Sequence, residues 1–282
     1  MTLKRILSVA LFFAALSTYG QDDITICHTS ATERFAALAS TENFKLLHQF
    51  PKEYTHVSQQ GGKMITFKCP DGSEAKGYFL QAKNKSDKWI FVFQEWWGLN
   101  DNIKKESEDL YNALGNVNVI ALDMYDGEVT ADREVASRIM QQFKQERGDM
   151  IVKGALAYAG KDAKVATIGW CFGGSQSLQA AITAGKQAIA CVIYYGMPVD
   201  DVQRLKSLNS DVLGIFGTRD KAISPEVVKK FEANMKAAGK KVEIHNYDAE
   251  HGFANPSNRI YDEKATADAK QKTLAYFRER LK

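Results

Sequence analysis

No apolar stretch in this chain of 282 residues reaches the length that crossing a bilayer requires, so a retained anchor at the start of the chain is the lesser alternative to a cleaved segment. The run Ile6 to Leu16, broken by one serine, falls far short of the ~20 residues that a span requires. Charge of one sign is also missing. Lys and Arg number 37 against 34 Asp and Glu, a net +3, and without Lys4 and Arg5 the balance is +1. That gives no basis for a nucleic-acid partner or an acidic surface. Internal repeats and low-complexity segments are absent as well. Cysteine is sparse at four, and His28, His48 and His56 show no metal-ligand spacing. What is present, 45% hydrophobic and 25% charged residues, is ordinary for one enzyme-sized domain with a large core.

The beginning of the chain follows the pattern of an export signal. Lys4 and Arg5 precede the apolar stretch, and Ser17-Thr18-Tyr19-Gly20 closes it before Gln21-Asp22-Asp23. Residues 1–20 are therefore expected to be removed after Gly20, leaving a mature protein in a bacterial periplasm with no membrane association. No cysteine follows closely enough for lipid attachment. Export would place four thiols in an oxidising compartment, where Cys27 with Cys69 is the candidate disulfide and Cys191, inside the strand pattern 190–194, is a small buried thiol. Residues 21–60 form a polar N-terminal extension that reads as a surface arm, and the main domain runs from 61 to 282.

Within that domain, Gly169-Trp170-Cys171-Phe172-Gly173 carries the most chemistry. It follows a buried-strand pattern, Lys164 to Ile168, and precedes a run of small residues that reads as a helix ending at Gly185. A nucleophile bounded by glycines between strand and helix is the nucleophile-elbow arrangement. The glycines permit a turn tight enough to hold Cys171 in a strained conformation above the sheet. At a helix N-terminus beside a histidine, such a thiol is expected to lose its proton near neutral pH.

A base and an orienting acid follow in the order this arrangement uses. The strand 212–216 runs into Gly217-Thr218-Arg219-Asp220, and the strand 242–247 leads through Asp248-Ala249-Glu250 to His251. Each group leaves the carboxyl end of a strand, the edge at which open α/β sheets bind ligands. Upstream, Lys63 to Ala82 reads as a hairpin turning at Pro70-Asp71-Gly72, then 89–93 as the first buried parallel strand, Asp101 to Leu114 as a helix and 117–122 as another strand. Ser224-Pro225 opens a helix that Gly239 stops, and Leu274, Phe277 and Leu281 give the last helix its apolar face. The expected architecture is a mostly parallel central sheet with helices on both faces and an N-terminal hairpin.

Four separated segments, Gln94 to Asn100, the elbow at 169–174, Gly217 to Asp220 and His251-Gly252-Phe253, make the chain resemble the dienelactone hydrolase family of α/β-hydrolases over residues 60–282. The resemblance implies Cys171 as nucleophile, His251 as base, Asp220 as its orienting acid, and Glu95 as a carboxylate that governs ionisation of the thiol. It places the oxyanion hole at the backbone N–H groups of Phe172 and Trp96. It also implies a small ester, lactone or thioester as substrate, no cofactor or metal, and a monomer or small homo-oligomer. Arg133 resembles a family position whose arginine helps hold the substrate carboxylate, and Tyr125 and Asn255 are further candidate substrate-binding residues. Asn255 stands where the family has a second carboxylate-binding arginine, so half of a carboxylate clamp is missing and dienelactone itself is in question. An acyltransferase using the same cysteine is the alternative, and a non-catalytic binding or redox-sensing protein the third reading.

Overall fold

The computed structural model describes residues 30–48 and 54–282. The segment 1–20, the cleavage expected after Gly20, and Cys27 of the candidate disulfide lie outside the described residues.

Eight strands form one sheet: β1 (Lys63–Lys68), β2 (Glu74–Leu80), β3 (Lys88–Phe93), β4 (Asn118–Leu122), β5 (Lys164–Trp170), β6 (Ala188–Tyr194), β7 (Val212–Gly217) and β8 (Val242–Tyr247), in the spatial order β1-β2-β4-β3-β5-β6-β7-β8. The expected hairpin is the antiparallel edge, with Lys68 opposite Glu74, and β2 pairs antiparallel with β4. From β4 to β8 every pairing is parallel. The strands β3 to β7 are buried along nearly their whole length, which is why their sequences read as continuous apolar runs rather than alternating ones.

The helices of the main domain are α3 (Asp101–Leu114), α4 (Arg133–Gln142), α5 (Gln145–Ala159), α6 (Phe172–Ala184), α7 (Val202–Lys206), α8 (Pro225–Ala237) and α9 (Glu263–Arg280). Their starts follow capping chemistry: Asn100, Asp132 and Asp262 each accept from backbone N–H groups of the first turn, and Pro225 occupies the first turn of α8. Two hydrogen bonds show that helices cover both sheet faces. Cys191 of β6 lies 3.6 Å from the Ser177 hydroxyl of α6, while Tyr194 of the same strand meets Thr273 of α9 at 2.7 Å. Residues three apart on a strand point to opposite faces. The chain thus has the expected α/β-hydrolase architecture.

Ahead of the sheet, two further helices, α1 (Ala31–Ala39) and α2 (Glu42–Leu47), overturn the expectation of a surface arm. Ser30 and Glu33 form a capping box that starts α1, and Thr41 caps α2. Phe35, Ala39, Phe44 and His48 are buried. The strap is tied down by the pair Arg34 and Asp200, by Lys45 to Glu134 at 2.7 Å, and by the Ser137 hydroxyl donating to the Ala39 carbonyl at 2.9 Å. Burying two phenylalanines contributes on the order of 3–6 kcal/mol of apolar burial toward holding it in place.

Candidate active site

The turn between β5 and α6 dictates where the sulfur goes. Cys171 has φ 57° and ψ −118°, a left-handed conformation that a side chain rarely adopts, and its N–H donates to the Tyr194 carbonyl at 3.0 Å. Glycine at 169 is required because an added Cβ would lie 2.1 Å from the Gly173 carbonyl oxygen, and at 173 because one would lie 2.2 Å from that of Phe93. The two glycines let helix and strands close around the bend, so the thiol stands at the carboxyl edge of the sheet.

Two loops bring partners to it. Past β7, Asp220 accepts from the N–H groups of Ala222 and Ile223 at 2.7 and 2.8 Å, which fixes its carboxylate. Past β8, His251 donates from Nδ1 to Asp220 at 2.8 Å, and its Nε2 lies 3.4 Å from the Cys171 sulfur. Burial works to raise the Asp220 pKa, but His251 and the backbone donors outweigh it and hold the carboxyl below its usual range. The acid is therefore ionised where it faces the imidazole.

Glu95, just beyond β3, is partly buried, and the loss of hydration pushes its carboxyl up to about 7 against the opposing pull of His251 and of the Asn255 side chain, which donates to it at 2.7 Å. Asn255, expected near substrate, thus binds the carboxylate of Glu95. The thiol itself is pushed well above its usual range by burial first and then by Glu95 and Asp220, while the backbone N–H groups of Phe172 and Trp96 pull the other way. The expectation of a thiolate near neutral pH is therefore not met in this closed arrangement. Its physical cause is dehydration: Cys171 is only 1% exposed.

The strap packs directly against the sulfur. His48 ends it with Nδ1 on the Phe44 carbonyl at 2.7 Å and Nε2 3.6 Å from the Cys171 sulfur, packed against the rings of Phe44, Trp96 and His251. Burial, reinforced by His251 and Arg133, drives its pKa down to about 3, so it is neutral. Arg133, expected to meet substrate, donates from Nε to the His48 carbonyl and holds the strap's end. Tyr125 stacks on Phe172 with ring centroids 5.2 Å apart and reaches the Met140 sulfur at 3.6 Å.

Sequence reasoning missed Phe35, Phe44 and His48, although the Ser30-x-x-Glu33 capping box ahead of Phe35 signals an ordered helix there. It also missed Tyr195, with φ 37°, its ring against His251 and a buried hydroxyl that has no hydrogen-bond partner among the described residues.

Comparison with known proteins agrees with this construction. The profile of the dienelactone hydrolase family matches residues 75–281. Carboxymethylenebutenolidase 1 of Cupriavidus pinatubonensis is 25% identical over 217 residues, covering 72% of this chain and 91% of its own. A carboxymethylenebutenolidase of a Pseudomonas species is 30% identical over 159 residues, 53% of this chain and 64% of its own. Among solved structures, a dienelactone hydrolase-like promiscuous phosphotriesterase, P91, from metagenomic libraries superposes with a TM-score of 0.67 at 23% identity, covering 78% of this chain and 98% of that one. With a strained cysteine at the elbow after β5, an aspartate and a histidine from the ends of β7 and β8, and a family profile spanning most of the sheet, this chain belongs to the dienelactone hydrolase family of α/β-hydrolases.

Proposed function

We propose that this protein hydrolyses small esters, lactones or thioesters through an acyl-Cys171 intermediate. The observation that carries the reading is the relay in which His251 Nε2 lies 3.4 Å from the thiol while its Nδ1 is held 2.8 Å from Asp220. The relatives named carboxymethylenebutenolidase support ester-bond hydrolysis as the reaction class.

In the first half-reaction His251 Nε2 takes the thiol proton as sulfur attacks the carbonyl carbon, and Asp220 stabilises the imidazolium that forms. The negative oxygen that develops is held by the N–H groups of Phe172 and Trp96, which already reach toward the sulfur. Collapse of the tetrahedral species breaks the bond to the alcohol or thiol, which leaves with the proton from His251. Water then loses a proton to His251 as it attacks the thioester, and the cysteine departs and is reprotonated. Glu95 tunes this cycle: a carboxyl held near 7 is partly charged at neutral pH, and its charge opposes thiolate formation until substrate is present.

Substrate access requires the strap to withdraw, because His48 stands 3.6 Å from the sulfur on a site that solvent barely touches. A panel of small esters, lactones and thioesters, assayed under reducing conditions with competing alcohols and amines, tests the reading. Free acid as the main product is expected. Predominant transfer of the acyl group to the added acceptor would replace the hydrolase with an acyltransferase, and no turnover of any carbonyl substrate would overturn both.

A further inference from the structure

We propose that Cys171, His251 and His48 form a binding site for a thiophilic divalent cation of the zinc class, assembled only when the strap is docked. It deepens the catalytic site but does not depend on ester turnover, because it rests on the positions of three ligand atoms.

Hydrogen atoms decide what this buried cluster can hold. The Nδ1 of His48 faces a carbonyl, which can only accept, so that nitrogen carries the proton and Nε2 is a bare lone pair. The Nδ1 of His251 likewise donates to the Asp220 carboxylate, so in the neutral ring its Nε2 is bare too. Two lone pairs and a sulfur therefore converge, with a single thiol proton to share between them. Transfer of that proton to His251 leaves the His48 lone pair facing a thiolate, which is repulsive. A cation at the centre satisfies all three atoms at once.

The spacing agrees. A tetrahedral zinc with bonds of about 2.3 Å to sulfur and about 2.0–2.1 Å to nitrogen needs sulfur-to-nitrogen edges of about 3.5 Å. The two edges here are 3.4 and 3.6 Å. No two of the three atoms are more than 4.8 Å apart. The nitrogen-to-nitrogen edge of such a centre, about 3.3–3.4 Å, falls inside that limit. Both histidines also have the outer partner that metal-binding imidazoles use, a carboxylate behind one and a backbone carbonyl behind the other, which fixes the tautomer that binds. Binding releases the thiol proton to solvent, forms one bond to sulfur and two to nitrogen, and leaves a fourth position open. It removes both nucleophile and base from catalysis and pins the strap shut.

Cobalt(II) added to the reduced, metal-free full chain is the test. One ion per chain is expected, with a thiolate-to-cobalt charge-transfer band that zinc abolishes by displacement. Cys171→Ala loses the band, and His48→Gln, which keeps a polar side chain of similar reach, weakens affinity at least about tenfold, since even an outer partner of a metal ligand is worth that much. Zinc X-ray absorption on the unmutated protein supplies a readout that needs no variant to fold: one sulfur at about 2.3 Å and two imidazoles at about 2.0–2.1 Å are expected. Absence of the band, a single imidazole, or unchanged affinity in a folded His48→Gln protein would each overturn the site. Ester hydrolysis measured alongside without metal reports separately on the catalytic reading.

Discussion

The elbow at 169–174 and the strap at 30–48 meet at one sulfur and hold it by opposite means. The elbow acts through the covalent backbone: a positive φ at Cys171 and two glycines whose places no side chain can take. The strap acts through contacts between residues far apart in sequence, with Phe44 on the Trp96 ring at 5.2 Å and His48 on the thiol at 3.6 Å. One arrangement can change only if the fold does. On the function proposed above, the other opens while the sheet stays intact, since local openings have lower free energies than global unfolding. That reading makes the site rigid where chemistry requires alignment and detachable where substrate must enter.

The comparison breaks most severely on the rigid side. His251→Ala is expected to lower turnover of a small ester by about a thousandfold or more and to abolish the pH limb belonging to the coupled thiol and imidazole, since triad members act as a unit. A parent-like rate and profile in steady-state assays would place the base elsewhere.

On the detachable side, Phe44→Ala removes a buried ring, a change that costs on the order of 3–5 kcal/mol in a core. If that cost falls on docking of the strap alone, alkylation of Cys171 by a neutral reagent should accelerate by roughly a hundredfold to several thousandfold while circular dichroism and the denaturation midpoint of the sheet barely move. Equal loss of global stability would show that strap and sheet unfold together.

Glu95 sharpens the contrast through pH. Its carboxyl is raised from 4.5 to about 7 in the folded protein, so folding favours the protonated form. Its contribution to stability is complete below about pH 4.5, declines as pH rises across the window to about 7, and is flat above it. Glu95→Gln removes that decline, so denaturant titrations at about pH 4 and pH 8 should show the variant gaining on the order of 3 kcal/mol relative to the parent across the interval. Without the neighbouring charge, Cys171 in the variant should also alkylate at lower pH. If stability and alkylation both track the parent, Glu95 is a packing residue.

The smallest effect is expected at Arg34, which pairs with Asp200 and donates to the Pro198 carbonyl at the strap's outer side. Partly exposed pairs of this kind contribute about 1 kcal/mol, so Arg34→Ala should speed alkylation of Cys171 only about fivefold.

These differences also explain what the sequence made legible. The elbow, the hairpin turn and the starts of α3 and α8 are encoded within a few residues of themselves, by glycine, proline and capping side chains. Asp220 and His251 could be placed because each follows a strand whose carboxyl end the parallel topology sends to one edge. His48 could not, since it reaches Cys171 across 123 positions and its own neighbours show no ligand spacing. The same contact accounts for the thiol: helix N-terminus and histidine argue for a thiolate, but burial under the strap and the Glu95 charge reverse that in the closed protein. Arg133 carries a charge suited to a substrate carboxylate and Asn255 occupies a candidate substrate position, yet one engages the strap and the other Glu95.

Peptide mass spectrometry of protein quenched during turnover of a small activated ester tests the central claim most directly. An acyl group confined to the peptide bearing Cys171, appearing and decaying at rates consistent with turnover and absent from Cys171→Ala, is the predicted result; undiminished hydrolysis by Cys171→Ala, or an acyl group on another side chain with Cys171 untouched, would contradict it.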